Sequence, residues 1–122
     1  MSDQAAGWDW RFRAKLVRVL DGDTCDVMLD AGFQTYREER LRLLGVNCPE
    51  VHGATRAAGL EATRFSANWL AAAGDGWSLV VESSKSDVFG RYLARVTRVS
   101  DGACLNDDLL AAGHAVPWQR KG

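Results

Sequence analysis

Along the chain, the spacing of apolar residues switches between the period of a strand and the period of a helix. Phe12, Ala14 and Leu16 share one parity, and Val17 and Val19 take the other. A parity switch inside one run, here from Phe12 to Leu20, predicts a strand with a bulge or strong bend, as in a small barrel. Asp21-Gly22-Asp23 predicts a turn. Beyond it, Cys25, Val27 and Leu29 alternate with Thr24, Asp26, Met28 and Asp30, the pattern of a half-buried strand. Ala31-Gly32 turns the chain again. A third strand is expected over 40–46, with Leu41, Leu43 and Gly45 on one face and Arg40, Arg42 and Leu44 on the other. Pro49 ends it.

The period then lengthens. Ala62, Phe65, Trp69 and Ala72-Ala73 recur at three and four, which predicts an amphipathic helix over about 58–73 with Gly74 just past its end. A fourth strand is expected over 77–83, with Trp77, Leu79 and Val81 on one parity. A polar loop follows over 83–90, then a fifth strand over 92–100 ended by Asp101-Gly102. Asn106 is placed to cap a short helix carrying Leu109 and Leu110, closed by Gly113, and Pro117 blocks its continuation. Short turns between neighbouring strands predict an antiparallel sheet, and closure would hide its edges. The expected fold is α+β and mainly β, a five-stranded OB-type barrel with two helices. It would fill 11–118 as one domain, between short tails at 1–10 and 119–122.

Composition narrows this picture. The chain has 122 residues, enough for one core. With 47% hydrophobic and 25% charged residues it is not a disordered chain. A net charge of -1 and an isoelectric point near 6.1 exclude a protein that coats nucleic acid by charge alone. Such a partner would have to be held locally, by a patch or a metal. Three cysteines without CxxC spacing, and two histidines, exclude a disulfide scaffold or a zinc cluster and predict free thiols in a reducing compartment. The first ten residues lack the basic start and apolar run of a signal peptide, and no stretch reaches the length of a membrane span. A cytoplasmic protein with no membrane partner is expected.

Three segments carry residue types suited to phosphate chemistry. Asp21-Gly22-Asp23-Thr24 places carboxylates two apart beside a glycine, which suits a hard cation as well as an ordinary hairpin turn. It is not an EF-hand, because counting from Asp21 the sixth and twelfth places hold Asp26 and Gly32 instead of Gly and Glu. In 40–50, Arg42 lies on the face opposite Leu41 and Leu43, and Pro49 fixes the backbone just before Glu50. In Asp87-Val88-Phe89-Gly90-Arg91, the glycine lets a loop present Arg91. Taken singly, each segment is a weak signal that reads better as a turn, a solvated arginine or a surface ion pair.

In this order and spacing, the three segments resemble the thermonuclease family of staphylococcal-nuclease-like proteins. The similarity extends to Gly59-Leu60-Glu61-Ala62 with Phe65, and to Leu105-Asn106 through Leu109 and Gly113, so it spans roughly 15–116. The resemblance implies an OB barrel and a calcium-dependent nuclease that cuts phosphodiester bonds of DNA, RNA or both with low sequence specificity. The implied products carry a 5′-hydroxyl and a 3′-phosphate. It also implies roles: Asp23 as a metal ligand, the side chain at position 47 as a second, and the backbone carbonyl of Cys48 as a third. Glu50 would be the general base or would orient the attacking water. Arg42 and Arg91 would clamp the phosphate, Arg91 also favouring departure of the leaving oxygen, with Asp21 supporting the site from behind.

The chain departs from the family's pattern at Asn47, where aspartate is usual. One negative charge fewer predicts weaker calcium binding, or use of another hard cation. Cys48 stands where a small or hydroxyl residue is usual, which is harmless if only its carbonyl is used. After Gly113, the family's base-stacking tyrosines and third helix have no counterpart, and Trp118 is either a stacking surface or a cover for the barrel edge. His114 reads as structural, His52 as an exposed loop residue, and Trp8 and Trp10 as packing for the tail. The reading from another class is a non-catalytic OB module that binds nucleic acid or protein. A monomer is expected in either case.

Overall fold

The computed structural model describes residues 10–86 and 92–118. Arg91, with the rest of Asp87-Val88-Phe89-Gly90-Arg91, lies outside the described residues, as does Trp8. The elements run β1 (Trp10–Asp21), β2 (Thr24–Asp30), β3 (Tyr36–Leu43), β4 (Val46–Asn47), α1 (Arg56–Ala71), β5 (Leu79–Ser86), β6 (Tyr92–Arg98), α2 (Leu105–Ala111) and β7 (Val116–Pro117). A single turn of 3-10 helix, Gly53–Thr55, leads into α1.

Five strands close into a barrel in the order β1-β2-β3-β6-β5, with β5 returning to pair with β1. This is the α+β barrel of OB type that the sequence predicts. Its sheet is mixed, however, where an antiparallel one was expected. β3 and β6 run parallel, pairing Leu41 with Tyr92 and Leu43 with Ala94. The helical crossover makes this possible, because parallel neighbours need a long connection instead of a hairpin. β1 slips register between Leu16 and Arg18 and again between Val19 and Asp21. Val17 is the extra residue, 37% exposed, and beyond it Val19 turns back toward the core.

Several boundaries move. β3 begins at Tyr36, because the charged run Tyr36–Arg40 pairs residue for residue with β2 although it shows no apolar alternation. It stops at Leu43, where Gly45 takes a left-handed φ of 80° and breaks the ladder. Val46–Asn47 then makes a separate small sheet with Val116–Pro117. β5 starts at Leu79, and Trp77 instead stacks on Tyr36 outside the barrel, ring centroids 5.5 Å apart. α1 starts at Arg56, two residues before the expected start.

Asn106 is not a helix cap. Cys104 occupies that place in α2, and the Asn106 side chain is 1% exposed. Its Oδ1 accepts from the Val96 N–H at 3.1 Å, and its Nδ2 donates to the carbonyls of Leu44 at 2.9 Å and Ala94 at 3.0 Å. One amide thus serves the Val96 N–H within β6 and the Leu44 carbonyl just past β3, and adds a second donor to the Ala94 carbonyl, which also accepts the Leu44 N–H. Gly113 closes α2 as expected, its N–H reaching Leu110 and the His114 N–H reaching Leu109. The core is Leu41, Leu43, Leu79, Leu93, Leu105 and Leu109 with smaller apolar neighbours, all under 2% exposed or close to it.

Removing the Asn106 amide leaves buried backbone groups without partners, each costing about 1–3 kcal/mol. Asn106→Ala is therefore expected to destabilise the fold by about 3 kcal/mol. Guanidinium unfolding monitored by tryptophan fluorescence measures this, and a loss below about 1 kcal/mol would show that water replaces the amide.

Candidate metal and phosphate site

The β1–β2 turn, the end of β3 and the segment after β4 meet at one cleft. It has a volume of about 300 Å³ and is walled by Asp21, Asp23, Arg42, Asn47, Glu50 and His52 among others. Residues far apart in sequence converge because the turn is wedged in place. The Ser66 hydroxyl of α1 donates to the Gly22 carbonyl at 2.6 Å. A Cβ on Gly22 would lie 2.8 Å from both Ala62 Cβ and Cys48 Sγ, so only glycine fits.

Asp23 is buried, 8% exposed. Its Oδ2 accepts the Cys48 N–H at 2.9 Å, and its Oδ1 accepts the Thr24 hydroxyl at 3.2 Å. Arg42 is also 8% exposed, contrary to a solvated arginine. Its Nη1 donates to the Val46 carbonyl at 2.9 Å and lies 3.3 Å from Asp23 Oδ2; its Nη2 donates to Asn47 Oδ1 at 3.1 Å. The Trp118 ring packs under the guanidinium, 5.1 Å from centroid to Cζ, so Trp118 steadies Arg42 rather than simply covering an edge. Asn47 and Glu50 are exposed at the cleft, and His52 is an exposed loop residue that also lines it. His114 packs on Phe65 at 4.9 Å, a structural role.

The carboxylates are unevenly matched. Burial pushes Asp21 up from 3.8 to about 6, helped by a shared proton and repulsion from Asp23. Elsewhere on the barrel, Asp26 is held below the usual carboxylate range by the Arg40 guanidinium, with Arg18 adding to it. Burial pushes the Cys48 thiol up to about 12, and the neighbouring aspartates push the same way. That thiol stays protonated at neutral pH, so it does not offer a thiolate ligand.

Whether this site suits a hard cation turns on its donors. Asp23, Asn47 and the Cys48 carbonyl offer only oxygen, the donor that calcium prefers. Among the described residues, Arg42 lies 3.3 Å from Asp23, and its single charge does not balance the Asp21–Asp23 pair. Among the described residues no three His, Cys, Asp or Glu side chains form a metal-binding group, so a cation here would lean on an amide, a carbonyl and water. The residues present fit a weakly held hard cation.

Sequence reasoning did not assign a role to Gly59. A Cβ there would lie 2.5 Å from the Glu50 carbonyl oxygen and 2.9 Å from that of Pro49, both backbone atoms. The bare helix surface lets the Pro49-Glu50 backbone lie flat on α1, and the Thr55 hydroxyl pins the Glu50 carbonyl at 2.7 Å. The signal was available: an interior helix glycine marks a close backbone approach. Compared with models of known families and with curated proteins, the chain matches none.

Two measurements follow from this geometry. Alanine normally favours a helix over glycine by about 1 kcal/mol. Gly59→Ala should nevertheless lower the unfolding free energy by about 1–3 kcal/mol, because the clash is with backbone; a stabilised variant would show that the segment yields. The Asp21 carboxyl is preferentially protonated in the fold, so its contribution is full below 3.8 and is lost as pH rises through about 6. Asp21→Asn should raise stability at pH 7 by on the order of 1 kcal/mol, allowing for solvent screening. It should also flatten the pH profile between those two values, which chemical unfolding at several pH values would read.

Proposed function

We propose that this protein is a divalent-cation-dependent phosphodiesterase that cuts DNA or RNA with little sequence preference, as its resemblance to thermonucleases implies. The observation that carries the reading is the convergence of Asp21, Asp23, Arg42, Asn47 and Glu50 on one polar cleft from separate segments. Asp23, Asn47 and the Cys48 carbonyl would hold calcium or a similar hard cation. When bound, such an ion offsets phosphate charge and lowers the cost of bringing a nucleophile to it.

The protein's own groups account for the rest. Arg42 presents a planar guanidinium already fixed by two carbonyls and the Trp118 ring, so little reorganisation is needed when phosphate charge builds. Glu50 is exposed at the cleft on a backbone held by Gly59 and Thr55, a place from which it orients water and accepts its proton. Arg91 is the second phosphate clamp in this proposal. Three free thiols suit a reducing compartment such as the cytoplasm, and the proposed unit is a monomer. No helix among the described residues is long and apolar enough to cross a membrane.

One observation favours a second reading, a non-catalytic module that binds nucleic acid. Arg42 already engages Asn47 Oδ1 and approaches Asp23, competing for oxygens a cation would need. A calcium titration of cutting, on single- and double-stranded DNA and on RNA, separates the two. We expect calcium-dependent products, a loss of roughly 10²-fold or more in Glu50→Gln, and roughly 10²–10³-fold in Arg42→Ala. Asn47→Asp should cut at lower calcium, because it restores a ligand charge. Binding without cutting at any calcium or magnesium concentration would establish the second reading.

A further inference from the structure

Opposite the cleft, the barrel has a second opening, between the starts of β1, β3 and β6 and the ends of β2 and β5. Among the described residues it holds a cavity of about 340 Å³, walled by Trp10, Phe12, Leu41, Val81 and Tyr92. That volume falls at the lower end of small-ligand pockets, roughly 300–1,000 Å³. Arg37 and Glu39 also line it, on the same strand parity as the core residues Leu41 and Leu43. Charged residues thus occupy two inward positions where apolar ones would plug the barrel.

The two charges are not equivalent. Glu39 pairs with the Arg37 Nε, yet the Glu39 side chain is 16% exposed and that of Arg37 70%. The carboxylate is sunk into the apolar wall while most of the guanidinium stays in water. An ion pair serving only solubility would leave both groups outside, and burying a carboxylate is unfavourable unless it meets donors. The second carboxylate oxygen accepts no hydrogen bond among the described residues. The cavity therefore combines aromatic faces with a fixed acceptor, the elements by which proteins hold an unpaired base.

We propose that this opening binds a single unpaired guanine base. The proposal rests on the nucleic-acid reading above. Guanine places its N1–H and N2–H side by side as donors, and a carboxylate accepts both. Adenine and cytosine set a ring acceptor beside the amino group, which a carboxylate repels; uracil offers one donor between two carbonyls. Trp10 and Tyr92 supply the stacking faces. Three residue steps of β3 separate Glu39 from Arg42, roughly 10 Å of strand. A base held here is thus a neighbour along the substrate strand and not the one at the scissile phosphate.

Nucleosides test this without phosphate, metal or cutting. Guanosine, adenosine, cytidine and uridine would be titrated calorimetrically into the full chain with chelator present, for the wild type, Glu39→Gln and Tyr92→Ala. Guanosine should bind at least about tenfold more tightly than the others, the discrimination one bidentate pair supplies. Glu39→Gln, which replaces one acceptor with a donor, should lose that preference with its unfolding midpoint unchanged, and Tyr92→Ala should weaken all binding. Absence of guanosine binding, equal affinity for adenosine, or full affinity in Glu39→Gln would overturn the proposal. A protein that cuts but does not bind guanosine refutes the opening alone, and one that binds guanosine but never cuts refutes the nuclease alone.

Discussion

A single hydrogen bond, from the Cys48 N–H to Asp23 Oδ2 at 2.9 Å, joins the β1–β2 turn to the segment that carries Asn47 and Glu50. The rest of the site depends on it. The joint is possible only because the turn is pressed between the α1 face and Cys48, with no room for a side chain on Gly22. Ser66 grips the same turn from the helix side. Three segments with weak local preferences become one rigid corner, and the polar groups inside it are positioned by close packing, whose low tolerance for displacement is general to protein interiors.

That corner also explains why the site's electrostatics differ from the rest of the barrel. Asp26 sits on the same hairpin and is more deeply buried, but Arg18 and Arg40 both reach it. Its charge is matched, and its carboxyl is held low. At the corner, among the described residues, Arg42 approaches Asp23 and not Asp21, and that guanidinium is shared with Asn47 and two carbonyls. Asp21 is held up near 6, chiefly by burial, with neighbouring Asp23 pushing the same way.

The barrel was legible because its strands bury one parity and its helix the other period, and because a bulge leaves a parity switch at Val17. The site was legible in part. Asp23, Arg42, Asn47 and Glu50 meet, and the sequence named them, but it read Arg42 as a residue on an open face. No local pattern reveals that the guanidinium is buried by carbonyls of its own turn and by Trp118, over seventy positions away. Asn106 misled for the opposite reason. Asparagine before an apolar run is a good capping signal, yet tertiary demand from Leu44, Val96 and Ala94 overrode it. β3 began unseen because charges that pair across a ladder look like a loop in one dimension, and the parallel β3–β6 contact depends on topology that local alternation does not encode.

The surface cations bear on how such a protein would recognise a polyanion. Arg13 is engaged by Asp30, Arg18 and Arg40 by Asp26, Arg95 by Asp107 and Arg98 by Asp101. Lys15 and Arg13 both lie over the Trp77 ring. With a net charge of -1 and these arginines so occupied, the chain has little spare field with which to gather phosphates from a distance. Affinity that comes from a few fixed contacts releases few counterions and depends only shallowly on salt. If the proposed function holds, selectivity would rest on the geometry of the corner: a buried guanidinium whose position is set by the fold, next to the Asp21 carboxyl, which burial makes costly to charge.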